Sequence, residues 1–308
     1  TMNTAFAADG DQATGEVADG ASITATDANG LLETTDGDTG ITVDPNGGIT
    51  LGATGGADAI TLHQDGDPGG TLTVTITDSN TTSIDTLTIA GDLDVLQEAT
   101  DTMVLNVTNA NVLIQNDIKV KTTNFVDINL GSGGDVTLTV DHDVNEAQEI
   151  EALIDGNATN TVTLAVTETT SNTNSTTFEA AIGATTALDA ININPTDDET
   201  VSVVFQAAVS ATAFTLGESS DSAGDDTSVT FEAQTADYTV TGTIDNAVAA
   251  DETTVLVTDA TDGAGPQTLT FASNVGSSVP IDAISVGNTG IAGRAIFNGN
   301  VSTTALTI

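Results

Sequence analysis

Carboxylates on tight turns are the side chains whose type and spacing could do chemistry in this chain. Asp36-Gly37-Asp38-Thr39-Gly40, Asp65-Gly66-Asp67-Pro68-Gly69 and the Asp225-Asp226 pair set short acidic side chains next to each other or one residue apart. Hard oxygen donors held on turns are the ligands that Ca²⁺ takes. Asp58, in Gly56-Ala57-Asp58-Ala59-Ile60, matches half of the glycine-rich nonapeptide that binds Ca²⁺ in some solenoids. Asp36, Asp38, Asp58, Asp65, Asp67, Asp225 and Asp226 are therefore the candidate metal ligands, with Ca²⁺ as the candidate cofactor. None of these segments completes an EF-hand loop, which needs a third ligand, a glycine and a closing glutamate. The alternative for each is an Asx turn solvated by water.

Other chemistries find few residues to work with. His63 and His142 are the only imidazoles, and no nucleophile elbow, phosphate loop or His-Glu-x-x-His zinc motif occurs. His142, between Asp141 and Asp143, reads as a turn histidine. Cysteine is absent, which excludes disulfides, a thiolate nucleophile and cysteine zinc sites. A glycosidase needs only two carboxylates, and 45 acidic residues offer many pairs. However, Trp is absent and there is a single Tyr, so stacking platforms for sugars are scarce. The expected class is non-enzymatic.

The charge balance narrows the partners. Over 308 residues, 45 Asp and Glu face 3 Lys and Arg, a formal net charge of −42. Lys119, Lys121 and Arg294 cannot make the basic face that nucleic acid requires, nor one that docks on anionic lipid. No apolar run approaches the length of a membrane span. With 38% hydrophobic residues the chain still has material for a core. Two carboxylates 5 Å apart in water repel by about 0.8 kcal/mol, and almost no basic residues offset the sum of such terms. Stability or assembly is therefore expected to depend on Ca²⁺. A high-salt habitat is the rival source of counter-charge.

The elements that must position these groups are strands. In Thr71-Leu72-Thr73-Val74-Thr75-Ile76-Thr77 apolar residues alternate with threonines, the pattern of a half-buried strand. The same alternation recurs at 85–89, 103–107, 136–140, 162–166, 255–257 and 305–308. Six Asp-Gly and three Asn-Gly pairs punctuate the chain as turns. Threonine fills 58 positions, so the core is expected to be thin and β-branched. One short helix is expected near 143–155, from the spacing of Ala147, Ile150, Leu153 and Ile154. Residues 1–70, rich in Gly and Asp, read as an N-terminal arm or docking segment, and residues 71–170 as a β-rich region. Ala5-Phe6-Ala7 matches the small-x-small rule of signal-peptide cleavage.

Residues 171–308 hold a degenerate repeat. Phe178, Phe205, Phe231, Phe271 and Phe297 each precede a pair of polar or small residues, usually with Val or Ile four positions on. A repeat of this size stacks units along one axis. A parallel β-solenoid, with the phenylalanines in an internal ladder, is the favoured architecture of this all-β, repeat-built chain; tandem β-sandwich domains are the alternative. The longer gap between Phe231 and Phe271 predicts an insertion near 245–266 that leaves the stack as a loop.

The unit Ile296-Phe297-Asn298-Gly299-Asn300-Val301-Ser302-Thr303-Thr304-Ala305-Leu306-Thr307-Ile308, with looser copies from Phe178 and Phe271, resembles the β-strand repeats of bacterial cell-surface proteins: surface-layer proteins, adhesins and autotransporter passengers. The resemblance covers roughly residues 170–308. It implies an extracellular or cell-surface location and a self-associating structural role, as a layer or filament. An adhesin or passenger stalk that binds a surface or glycan is the second expectation. The implied partners are copies of the chain itself and cell-surface polysaccharide. Val301 to Ile308 carries no charge that would stop it pairing with a neighbouring strand.

Overall fold

A computed structural model describes residues 21–23, 32–34, 39–45, 48–51, 60–62, 71–80, 83–95, 102–120, 125–141, 147–168, 174–193, 200–217, 226–249, 252–260, 267–287 and 293–308. The fold is all-β, and its strands stack in parallel as a β-solenoid. Among the described residues there is no helix, and so none long and apolar enough to cross a membrane. The chain divides into two compact units, residues 1–139 with 149–162 and residues 140–148 with 163–308.

From Thr39 on, each coil of the first unit carries three strands. One sheet is formed by β1 (Ala21–Ile23), β3 (Thr39–Val43), β6 (Thr71–Ile76), β9 (Thr102–Val107), β12 (Phe125–Leu130) and β15 (Ala152–Asp155). A second contains β4 (Ile49–Leu51), β7 (Thr86–Ile89), β10 (Asn111–Ile114) and β13 (Val136–Asp141). The third contains β2 (Leu32–Thr34), β5 (Ile60–Leu62), β8 (Leu93–Val95), β11 (Ile118–Val120) and β14 (Gln148–Ile150). β1 pairs with β3; beyond that, neighbouring strands of each sheet lie three places apart in the chain, and the register stacks like on like. Val74, Leu105, Ile128 and Ile154 are Cα partners in succession, and all are buried. The period of two thus becomes an aliphatic ladder on the inside, with threonines and carboxylates turned out.

The second unit has two strands per coil. One sheet runs β16 (Val162–Thr167), β18 (Leu188–Ile193), β20 (Val209–Leu216), β22 (Tyr238–Asn246), β24 (Leu269–Phe271) and β26 (Ala295–Phe297). The other runs β17 (Thr176–Phe178), β19 (Val201–Phe205), β21 (Asp226–Ala233), β23 (Glu252–Asp259), β25 (Ile281–Val286) and β27 (Thr303–Thr307). Here strands pair two places apart. Between some strands the chain makes only single bridges, such as Ile244 with Val275 and Val275 with Val301. Gly183 and Gly276 follow bridge residues with φ of 67° and 70°. A Cβ at Gly276 would lie 2.0 Å from the Ser302 carbonyl oxygen, so the turn requires glycine.

The phenylalanines form the expected ladder, with one change of side. Phe178, Phe205 and Phe231 are register partners on β17, β19 and β21, with ring centroids 5.4 and 5.5 Å apart. Phe271 and Phe297 pair on the opposite sheet, 4.9 Å apart. Phe231 meets Phe271 edge to face at 5.3 Å. In the coil between them the register partners are the smaller Val257 and Val240, and the two rings fill the space they leave.

Four expectations are corrected. The alternative of tandem sandwiches fails, because the strand pairings are parallel along both units. The helix near 143–155 is instead β14 and β15, in which Gln148, Ile150, Ala152 and Ile154 are buried in a period of two. The apparent helical spacing arose because a corner at Glu151 joins two short strands. The insertion near 245–266 does not leave the stack: it contains β23, in register with both β21 and β25. The long phenylalanine interval reflects the change of sheet. Within residues 1–70, expected as an arm, the described segments are strands β1 to β5 of the same sheets, and Val43 and Leu51 are buried.

Candidate functional site

Oxygen donors are concentrated at the coil corners, where the chain leaves one sheet for the next and backbone N–H groups lose their ladder partners. A short side chain one coil away supplies the acceptor. In the first unit Asp135 Oδ1 accepts from Thr161 N–H at 2.7 Å, Asp117 Oδ1 from Glu149 N–H at 2.8 Å, Asn111 Oδ1 from Thr137 N–H at 2.9 Å and Asp44 Oδ1 from Ser79 N–H at 3.1 Å. The second unit repeats the device: Asp237 accepts from Thr268 N–H at 2.7 Å, Asp245 from Ser278 N–H at 2.7 Å and Asn274 from Asn300 N–H at 2.9 Å. Asp and Asn have the reach for this, and a carboxylate accepting from an amide makes the stronger, charge-assisted bond. The aspartate excess is thus partly a set of coil-to-coil fastenings.

The densest group lies where β6 turns toward β7. Asp78, buried, accepts from the N–H groups of Asn80 and Asp85, both at 2.8 Å. Asn109, one coil on, accepts from Thr77 Oγ1, Asp78 N–H and Thr108 Oγ1 at 3.0, 2.9 and 3.1 Å and donates to the Asp78 carbonyl at 2.9 Å. Asn80 Nδ2 donates to Asp85 Oδ2 at 3.2 Å. These oxygens are spent on donors of the chain, which suits a fixed corner better than an open ligand cage.

Two places carry unusual electrostatics. Lys119 Nζ on β11 lies 2.7 Å from Asp117 and 3.1 Å from Asp92. Burial opposes its charge, but the hydrogen bonds and the two carboxylates outweigh that and raise its pKa above the ordinary lysine value. Asp92 Oδ1 is buried and accepts no hydrogen bond. On β12, Asp127 Oδ1 is also buried without a donor, and burial together with the charge of Asp155 pushes its carboxyl above the usual range.

In the second unit, buried Asn246 donates to the Pro280 carbonyl at 2.7 Å and accepts from Thr253 Oγ1, while Thr253 N–H donates to Asp282 at 3.1 Å. Tyr238 donates its hydroxyl to the Phe205 carbonyl at 2.8 Å. Burial and the nearby Glu232 charge raise its pKa, which keeps the phenol a donor. Glu232 itself accepts from Gln206 at 2.9 Å and from Gln234.

Of the seven candidate ligands, Asp226 is described: it opens β21, is exposed, and has Glu252 as its register partner. Asp36, Asp38, Asp58, Asp65, Asp67 and Asp225 lie outside the described residues, as do His63 and His142. The corner acceptors Asp44, Asp78, Asp117, Asp135, Asp237 and Asp245 were not singled out from the sequence. Their only signal there is that most stand at the ends of alternating runs, such as Thr71 to Asp78 and Thr239 to Asp245. No family model, curated protein or solved structure matches the chain.

Proposed function

We propose that this chain is a non-enzymatic structural protein of a bacterial surface, built to stack and to self-associate into a layer or filament once its acidic surface is neutralised. The observation that carries this reading is the repetition of one fastening, a corner oxygen accepting an N–H from the next coil, in both units. At the described corners, acidic and amide side chains are engaged coil by coil with the chain's own backbone. The extracellular setting rests on the resemblance of residues 170–308 to cell-surface repeats. Cell-surface polysaccharide is the proposed anchor.

Counter-charge is the proposed control. With a formal charge of −42, copies repel until salt or Ca²⁺ screens or bridges them. Asp226 beside Glu252 is a described place where a cation would relieve two adjacent carboxylates. Sedimentation velocity in low salt, in molar NaCl and in millimolar CaCl₂ tests this. Growth beyond a monomer in CaCl₂ that chelator reverses supports Ca²⁺ as the bridge. Equal growth in NaCl alone assigns the role to screening, and a monomer in all three overturns self-association. The second reading, a monomeric adhesin or passenger stalk, is favoured by the same acidic surface, which holds copies apart.

A further inference from the structure

Asn80, Asn106, Asn157, Asn174 and Asn300 each open an Asn-x-Ser/Thr segment with no proline at the middle position, the acceptor pattern for an N-linked glycan. In a chain this rich in threonine the pattern arises by chance, so the fold decides which copy can react. An acceptor needs three things: an amide nitrogen not spent on another partner, a hydroxyl two residues on that an enzyme can reach, and a backbone not tied into a sheet.

Four of the segments fail one of these demands. Asn80 Nδ2 donates to Ser83 Oγ at 2.8 Å and to Asp85 Oδ2 at 3.2 Å. Asn106 lies inside β9, held in register between Thr75 and Asn129, and the Thr108 hydroxyl donates to the Ile76 carbonyl at 2.9 Å. After Asn174, the Thr176 hydroxyl is buried and donates to Gln148 Oε1 at 3.1 Å. Around Asn300 the backbone is bonded to Val275 from both sides: the Asn300 carbonyl accepts from Val275 N–H, and Ser302 N–H donates to the Val275 carbonyl, both at 2.8 Å.

Asn157-Ala158-Thr159 meets all three. It lies between β15 and β16, where Ala158 and Thr159 are exposed. The corner is anchored beyond the segment, by Asn160 Nδ2 on the Gly131 carbonyl and by Thr161 N–H on Asp135 Oδ1, and residues 157–159 make no backbone-to-backbone hydrogen bond among the described residues. Asn157 Oδ1 accepts from the Thr159 hydroxyl at 2.7 Å and from Thr159 N–H at 2.9 Å, while its Nδ2 makes no hydrogen bond among the described residues. Two donors on Oδ1 stabilise the charge that builds there as the amide gives up a proton.

We infer that Asn157 is the glycan acceptor of this chain, presented by the fold to an oligosaccharyltransferase with a polyprenyl-diphosphate-linked oligosaccharide as donor. Nδ2 attacks the anomeric carbon and forms the N–C bond. The C–O bond to the diphosphate breaks, its electron pair leaves with the phosphate, and one Nδ2 proton passes to a base of the transferase. The inference rests on the cell-surface setting proposed above, since exported chains are the ones that meet such transferases.

The test gives the folded full chain to a single-subunit oligosaccharyltransferase that accepts Asn-x-Ser/Thr without further sequence demands, together with that donor, and reads the product by mass spectrometry. Cleavage after glutamate isolates Asn157 on the fragment 152–168 and puts each of the other four segments on a fragment of its own. One glycan per chain, on 152–168, is the expected result. Asn157→Gln and Thr159→Ala, checked for retained β-structure by circular dichroism, should lose it, and Thr159→Ser should keep it. If the folded chain stays bare while the isolated fragment 152–168 is modified, or if glycan appears equally at the other segments, the fold does not present Asn157 and the inference is wrong. Fractionation of the source cells separates the two readings. A cytoplasmic chain overturns the surface setting, whereas a surface chain with Asn157 bare overturns the glycan acceptor alone.

Discussion

Asp127 shows how a single carboxylate can oppose the fold it decorates. Its Oδ1 is buried without a donor, and burial and Asp155 both push its pKa up. A carboxyl that binds its proton more tightly when folded gives the native state an advantage at low pH, which is lost as pH rises through the folded value. Asp127→Asn should therefore raise the melting temperature at pH 7, and the gain should vanish in acid below the ordinary aspartate range. An equal gain at both pH values would show that charge is not the cause. Asn109 works in the opposite direction. Its side chain makes four hydrogen bonds across a corner, each worth about 1 kcal/mol net, so Asn109→Ala should cost about 2–4 kcal/mol in urea unfolding. A loss below about 0.5 kcal/mol would mean that water replaces the amide. Neither role was legible in the sequence. Asn109 is one of many asparagines, and the groups it fastens at Thr77 and Asp78 lie a full coil earlier; a pattern of local spacing contains no term for that distance.

At the scale of elements, alternation was legible and corners were not. Leu72, Val74 and Ile76 identify β6 from spacing alone, because one face of a strand must be apolar. Between 143 and 155 two short strands and their corner imitate a helical period, and only the buried partners of Ile150 and Ile154 on neighbouring strands decide the matter. The phenylalanine repeat was visible, but its change of sheet after Phe231 was not, since either side of a thin core can carry the ring. Removing a ring from the middle of the ladder should cost more than removing one from its end. Phe205→Ala should lose about 3–5 kcal/mol, and Phe297→Ala, at a half-buried position, clearly less. Equal losses in chemical unfolding would contradict the difference in burial between Phe205 and Phe297. Gly276→Ala forces an L-residue to φ near 70° and a Cβ onto the Ser302 carbonyl. It should destabilise by about 1–3 kcal/mol or more, and a neutral result would show that the Val275–Val301 bridge is dispensable.

For the molecule as a whole, composition made the charge legible and structure gave part of it a use. Aspartates outnumber glutamates because a short carboxylate at a corner can accept an amide from the next coil, as Asp135, Asp237 and Asp245 do. Those bonds fasten one chain coil to coil. Asp36, Asp38, Asp58, Asp65 and Asp67 lie outside the described residues, so the proposed role of Ca²⁺ is a question for solution experiments. The central claim is that this is a structural protein whose copies associate once counter-charge is supplied. Negative-stain electron microscopy of the wild type, in low salt and after dialysis into CaCl₂ or molar NaCl, addresses it most directly. Dispersed particles in low salt and ordered assemblies after either addition are the predicted result; single particles of one size under all three conditions would contradict it.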